Sequence, residues 1–248
     1  MADVKNFPIL MYHHIMDLKT VPKKDWGTLY VDIFSFKKQM EYLKKSSYTF
    51  MDFDMLADAL DGKAELPGKP VIIIVDDAYE TTLKDILPIV KELDLKVVVA
   101  LVTGIVDKLS RWGHYIVKEN DILEMSRAGF SFESHSVTHP NFKEIELKLL
   151  ESELKESKMY IENLLKKKIT AIIYPGGAYD ENVKKMCKEA GYRFGLNVGT
   201  SKKTVMEDLF EMRRIHIKRS DGMLAFRRKI SKWYMWYRGI RESIRNKH

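Results

Sequence analysis

The 248-residue chain predicts an α/β fold, a closed or nearly closed β/α barrel forming one unit. Three observations carry that prediction. Short apolar runs alternate with longer amphipathic stretches about seven times, an order that calls for parallel strands joined by right-handed crossovers. The runs "VIIIV" (71–75) and "KVVVALV" (96–102) are β-branched throughout most of their length, as strands buried on both faces are. No Pro/Gly/Ser-rich linker divides the chain, so one barrel is favoured over two domains, with a doubly wound open sheet as the alternative.

In chain order the predicted strands are "PILMYHH" (8–14), "VIIIV" (71–75), "KVVVALV" (96–102), "FSFES" (130–134), "AIIYP" (171–175), "RFGLNV" (193–198) and "RRIHI" (213–217). Each is too short for a helix and rich in β-branched or aromatic residues. Between them, apolar residues recur at helical spacing over about 33–46, 53–61, 80–93, 119–128, 144–167 and 180–190.

Composition narrows the function classes. Hydrophobic content of 45% and charged content of 31% describe a globular chain, and the longest apolar runs are too short to cross a bilayer. The start, "MADVKNFPIL", shows no basic segment followed by an apolar one, so a cytosolic protein or one whose export segment was trimmed is expected. The single cysteine, Cys187, excludes an intramolecular disulfide and a multi-thiolate metal site, and within its helix it reads as a small buried hydrophobe. Net charge is +7, but residues 218–248 hold ten Lys/Arg against two acids. The rest of the chain is nearly neutral, which argues against a nucleic-acid-binding body. There is no GxGxxG, GxxxxGK[ST] or GxSxG.

The residues able to do chemistry gather at predicted strand ends. Asp76 and Asp77 follow "VIIIV", and His135 and His139 follow "FSFES" in "SHSVTH". Tyr174, Pro175, Gly176 and Gly177 follow "AII", His13 and His14 end the first strand, and His216 lies in the last. In a parallel barrel these ends open on one face, where such folds keep their sites. The i, i+4 spacing of His135 and His139 predicts two imidazoles on one side of a helical turn, able to chelate a divalent ion with a carboxylate as third ligand. One aspartate of the pair could instead cap the following helix, which leaves the other unexplained. In the functional reading one aspartate binds the metal and the other accepts a proton from water. His13 and His14 are assigned a substrate-side or supporting role.

"VDDAYETT", "SHSVTHP" and "YPGGAYD", in this order, resemble the polysaccharide deacetylase (NodB-homology) family of carbohydrate esterases. "PILMYHHI" and "FSFKKQMEYLKKSSYTFMDFDML" are similar to its biofilm-polysaccharide deacetylase branch, so the likeness covers most of residues 7–217. The resemblance implies an irregular (β/α)7 barrel, TIM-like, over 1–217. It implies metal-assisted hydrolysis of N-acetyl groups on amino sugars of a glycan or glycolipid, with metal-bound water attacking the amide carbonyl. It casts Asp76 as general base, Asp77, His135 and His139 as metal ligands, and His216 as the acid that protonates the leaving amine. Tyr174, Pro175, Gly177 and Tyr179 would border the oxyanion. The ligand set suits Zn, with Co, Ni, Mn or Fe as alternatives.

Four departures accompany the likeness. Ala78 stands where the family has Gly, which predicts an altered backbone after Asp77. Ile173 replaces the Arg that holds the base, Arg213 replaces a Leu before His216, and the downstream Trp motif is absent. Two rivals follow: a same-fold hydrolase of another amide (formyl or cyclic), or a carbohydrate-binding protein that has lost turnover.

Residues 218–248 form a separate predicted element. Phe226, Ile230, Trp233, Tyr237, Ile240 and Ile244 draw one apolar stripe along a basic helix over 222–247. Such a helix suits a peripheral membrane contact or packing on the barrel or a second subunit.

Overall fold

The computed structural model describes residues 6–20, 27–198 and 206–231. In order, the chain forms β1 (Ile9–Tyr12), β2 (His14–Met16), β3 (Tyr30–Asp32), α1 (Ile33–Lys45), β4 (Thr49–Phe50) and α2 (Phe53–Leu60). It continues with β5 (Pro70–Val75), α3 (Glu80–Leu93), β6 (Val97–Leu101), α4 (Glu119–Ser126), β7 (Phe130–Ser134) and α5 (Leu147–Leu165). The last elements are β8 (Ala171–Ile173), α6 (Glu181–Glu189), β9 (Phe194–Val198), β10 (Met212–His216) and α7 (Met223–Lys229).

Seven parallel strands close into a barrel in the order β1-β10-β9-β8-β7-β6-β5, and β5 returns to β1 through Ile9–Ile72 to Tyr12–Val75. This is the predicted barrel, and closure excludes the open-sheet alternative. Along β5, Ile72 and Ile74 turn into the barrel while Val71, Ile73 and Val75 pack outward under the helices. Both faces are dry, so the run has no polar alternation. Phe53 and Leu56 of α2 join the inner cluster, and β4 pairs with Pro70 and Val71, so this segment stoppers the N-terminal end of the barrel. The opposite end is left free for chemistry.

Local chemistry sets the helix starts. Asp32, Asp52 and Asp180 accept hydrogen bonds from Ser35, Met55 and Val183 at 3.3, 2.9 and 2.9 Å, capping α1, α2 and α6. The predicted first strand breaks after Tyr12, and His14–Met16 pairs instead with Tyr30–Asp32 beside the barrel. These strands, with β4, are two or three residues long, too short to leave a period in the sequence. Cys187 is buried, as expected.

At the C-terminus, Phe226 and Ile230, the first two residues of the predicted stripe, are buried. Phe226 meets the edge of Tyr42 on α1 at 6.4 Å, and the Arg227 guanidinium lies over the same ring at 4.5 Å. The helix thus begins by packing on the barrel's outer layer. The rest of the stripe, from Trp233, lies outside the described residues. Among the described residues no helix is long and apolar enough to cross a membrane.

Candidate metal and catalytic site

β5 delivers Asp76 and Asp77 to the C-terminal mouth of the barrel. Asp77 and Ala78 are both left-handed, with φ of 68° and 55°. Ala78 therefore keeps the conformation that favours Gly, against the expected change of backbone, at a cost of about 1 kcal/mol. Its buried carbonyl accepts the Val117 N–H at 3.0 Å, and Glu80 N–H donates to the Tyr115 carbonyl at 2.9 Å, so a neighbouring loop holds the turn. Tyr79 is the residue before α3 and caps it with no side-chain hydrogen bond, so neither aspartate serves as a helix cap.

Asp77, His135 and His139 bring one ligand atom each within 4.8 Å of one another. Asp77 Oδ1 lies 3.7 Å from His135 Nε2 and 3.8 Å from His139 Nε2. Ligands about 2.1 Å from a tetrahedral ion stand roughly 3.4 Å apart, so these three atoms fit a divalent cation after small shifts. The His135 Nδ1–H donates to the Ile173 carbonyl at 2.8 Å, which leaves Nε2 as the free lone pair. Burial, partly offset by Asp76 and Asp77, lowers the His135 pKa. Burial and His135 lower that of His139 to about 4. Both imidazoles are neutral near pH 7, as metal ligands must be.

The segment 135–139 is not the helical turn expected from the spacing. Ser136 and His139 are left-handed, with φ of 68° and 58°. Glu153 of α5, buried beneath the loop, accepts the N–H groups of Val137 and Thr138 at 2.7 and 2.9 Å and the Thr138 hydroxyl at 2.6 Å. Three donors converging on one carboxylate hold an irregular loop that a helix could not imitate. Sequence reasoning missed Glu153, whose only signal was an acid on the inner face of a long helix.

Asp76 has its own partner. Arg214 of β10, 1% exposed, donates from Nη1 to both Asp76 oxygens at 2.6 and 2.7 Å. Burial works against ionisation, but Arg214, then His13 and His135, hold the carboxyl down to about 2. An arginine therefore does pair with Asp76, from β10 and not from the position of Ile173 where the resemblance places one. Its sequence signal was the pair Arg213-Arg214 inside an otherwise strand-like run. His13 Nε2 lies 3.8 Å from Asp76 Oδ2, and the His216 ring lies 5.8 Å from the His13 ring. Burial and then His13 lower the His216 pKa to about 4.

A cavity of about 330 Å³ opens over these groups, lined by His13, Asp76, Asp77, His135, His139 and Arg214. His216 is not in its lining. Aromatic rings form one wall: His14 is stacked between Tyr30 and Tyr79 at 4.4 and 4.1 Å, with His114 at 4.5 Å and Trp112 beyond. Burial, then His114, lowers the His14 pKa to about 3, so that ring is neutral and part of the wall. From the "YPGGAYD" turn only Gly176 lines the cavity. Tyr174 is buried with its hydroxyl on the Phe210 carbonyl at 3.0 Å and its ring stacked on Tyr179 at 5.1 Å. Pro175 is buried, and the Gly177 N–H donates to the Tyr174 carbonyl at 2.8 Å, so that N–H is not available to an oxyanion.

A closed (β/α)7 barrel with two unlike carboxylates and two neutral histidines at its C-terminal mouth places the protein among the β/α barrels that gather their polar groups at that face. The chain belongs to the polysaccharide deacetylase family, whose model matches residues 63–195, and so to the hydrolases of non-peptide carbon–nitrogen bonds. It is 26% identical over 218 residues to YxkH of Bacillus subtilis (strain 168), covering 87% of this chain and 72% of that one. It is 25% identical over 207 residues to the poly-beta-1,6-N-acetyl-D-glucosamine N-deacetylase of Staphylococcus aureus (strain MRSA252), covering 80% and 70%. A polysaccharide deacetylase from Bacillus cereus superposes with a TM-score of 0.75 at 27% identity over 91% of this chain and 69% of that one. The Streptococcus pyogenes deacetylase PplD superposes at 0.81 over 91% and 98%, and at 24% identity that likeness speaks for the fold.

Proposed function

We propose that the protein removes N-acetyl groups from amino sugars of a glycan or glycolipid, using a divalent metal held by Asp77, His135 and His139. The observation that carries this reading is the metal-sized triad standing beside a separately paired, ionised Asp76. When bound, the metal supplies Lewis acidity toward water and the amide carbonyl. Asp76 orients the attacking water and accepts its proton. With a pKa held near 2 it is a weak base that does not retain that proton. His13, 3.8 Å away and lining the cavity, takes the proton and gives it to the leaving amine. His216, the acid expected from sequence, stands behind His13 and supports it. Gly176 borders the acyl side.

The test is acetate release from N-acetylglucosamine oligosaccharides, with chelator and with metal added back. Release should stop on chelation and return with metal, and Asp76→Asn should lower kcat by roughly 10²–10⁴. Wild type matching Asp76→Asn under every metal would refute the reading.

A further inference from the structure

The aromatic wall ends in a hairpin that the mechanism does not use. Residues 108–116 turn back on themselves: Leu109 bridges Tyr115, Ser110 N–H donates to the His114 carbonyl at 2.8 Å, and Gly113 N–H closes the turn on Ser110 at 3.0 Å. Ile116 bridges Tyr79, so the hairpin is anchored beside the Asp77–Ala78 turn. Its tip carries Arg111 and Trp112 to the mouth of the cavity. Trp112 lines that cavity yet stays 37% exposed.

The indole is held in place before any ligand arrives. The Arg111 guanidinium lies over the Trp112 ring at 4.7 Å and donates to the His139 carbonyl at 3.1 Å. Trp112 also meets the His139 ring at 5.0 Å, nearly perpendicular, and the Tyr79 ring at 6.5 Å. An exposed tryptophan fixed on several sides offers flat apolar area at small entropic cost on binding. The cavity floor below it is charged: Asp76, Asp77 and Arg214. A ligand matching both surfaces has one C–H-rich face and a polar rim, which describes a pyranose ring and not a simple aliphatic or cyclic amide.

We propose that Trp112 is the platform on which the amino-sugar ring stacks while its amide faces the metal triad, so that this hairpin selects sugar amides over other amides. The inference rests on the N-deacetylase reading and deepens it. Trp112 is a specificity-determining residue contributed from outside the barrel strands.

Two readouts test it. The first is calorimetric titration of the protein, with and without metal, with an N-acetylglucosamine oligosaccharide. The second is acetate-release kinetics on the same oligosaccharide. Wild type should show saturable binding. Trp112→Ala should raise both Kd and KM roughly tenfold or more, with a smaller effect on kcat, and Trp112→Phe should recover much of the affinity. Tyr115→Ala, on the hairpin but not in the cavity lining, should bind as wild type does. Trp112→Ala binding the oligosaccharide with wild-type affinity overturns the proposal while leaving the deacetylase reading intact. So does a loss confined to kcat with Kd unchanged, since that would mark Trp112 as a support for His139 alone. A wild type that neither binds the saccharide nor releases acetate overturns both readings together.

Discussion

At the scale of single residues, Asp76 and Arg214 are a buried ion pair made by one nitrogen and two oxygens. The folded pKa near 2 lies below the usual carboxylate value, so the pair's contribution is present above about pH 4 and is lost as pH falls through about 2. Replacing Arg214 by Met leaves a buried carboxylate unpaired, and denaturant unfolding at pH 7 should show a loss of roughly 3–5 kcal/mol. Adding Asp76→Asn to that variant should recover part of the loss. A single variant within 1 kcal/mol of wild type would show that the pair does not hold the site.

At the scale of elements, the proposed metal ligands depend on how α5 meets the loop after β7. Glu153 organises Val137 and Thr138, and through them the left-handed His139. Removing that carboxylate leaves two N–H groups and a hydroxyl without their acceptor, and the loop loses the geometry that aims His139 at Asp77. Glu153→Ala should weaken zinc binding about 10–100-fold by calorimetry. Glu153→Gln, which keeps an acceptor, should fall between it and wild type. Unchanged affinity in the alanine variant would place the organisation of the loop elsewhere.

At the scale of the whole molecule, the barrel interior is apolar except for groups such as Glu133, on the inward face of β7. Its Oε2 accepts the N–H groups of Thr170 and Ala171 at 3.1 and 2.8 Å, tying β7 to the entry of β8. Burial pushes its pKa up to about 8 despite those two bonds. With the folded value raised, the folded state binds the extra proton between about pH 4.5 and 8. The contribution of Glu133 to stability is then greatest below that window and falls as pH rises through it. Glu133→Gln keeps the acceptor without the charge. Its Tm should match wild type at pH 5 and exceed it by several degrees at pH 8. An equal difference at both pH values would mean that Glu133 does not titrate in that window.

The sequence by itself determined a parallel β/α fold, because seven apolar runs separated by amphipathic helices leave few other ways to bury both faces of each strand, and the pairing of β1 with β5 decided that the sheet closes into a barrel. It also put Asp76, Asp77, His135 and His139 at strand ends, since short motifs are local in the chain, and the structure brings all four to one cavity. Only the tertiary structure decided which groups act on them. Arg214 reaches Asp76 across 138 positions, Glu153 reaches the histidine loop from a helix, and Trp112 arrives on a hairpin. A charge in a strand or on a helix's inner face marks such residues as unusual but does not name their partners, because a hydrogen bond or a ring contact depends on distance in space and not on separation along the chain. The same reason turned the predicted helical pair His135/His139 into a loop held by a carboxylate, and showed Ala78 keeping a turn that its residue type disfavours.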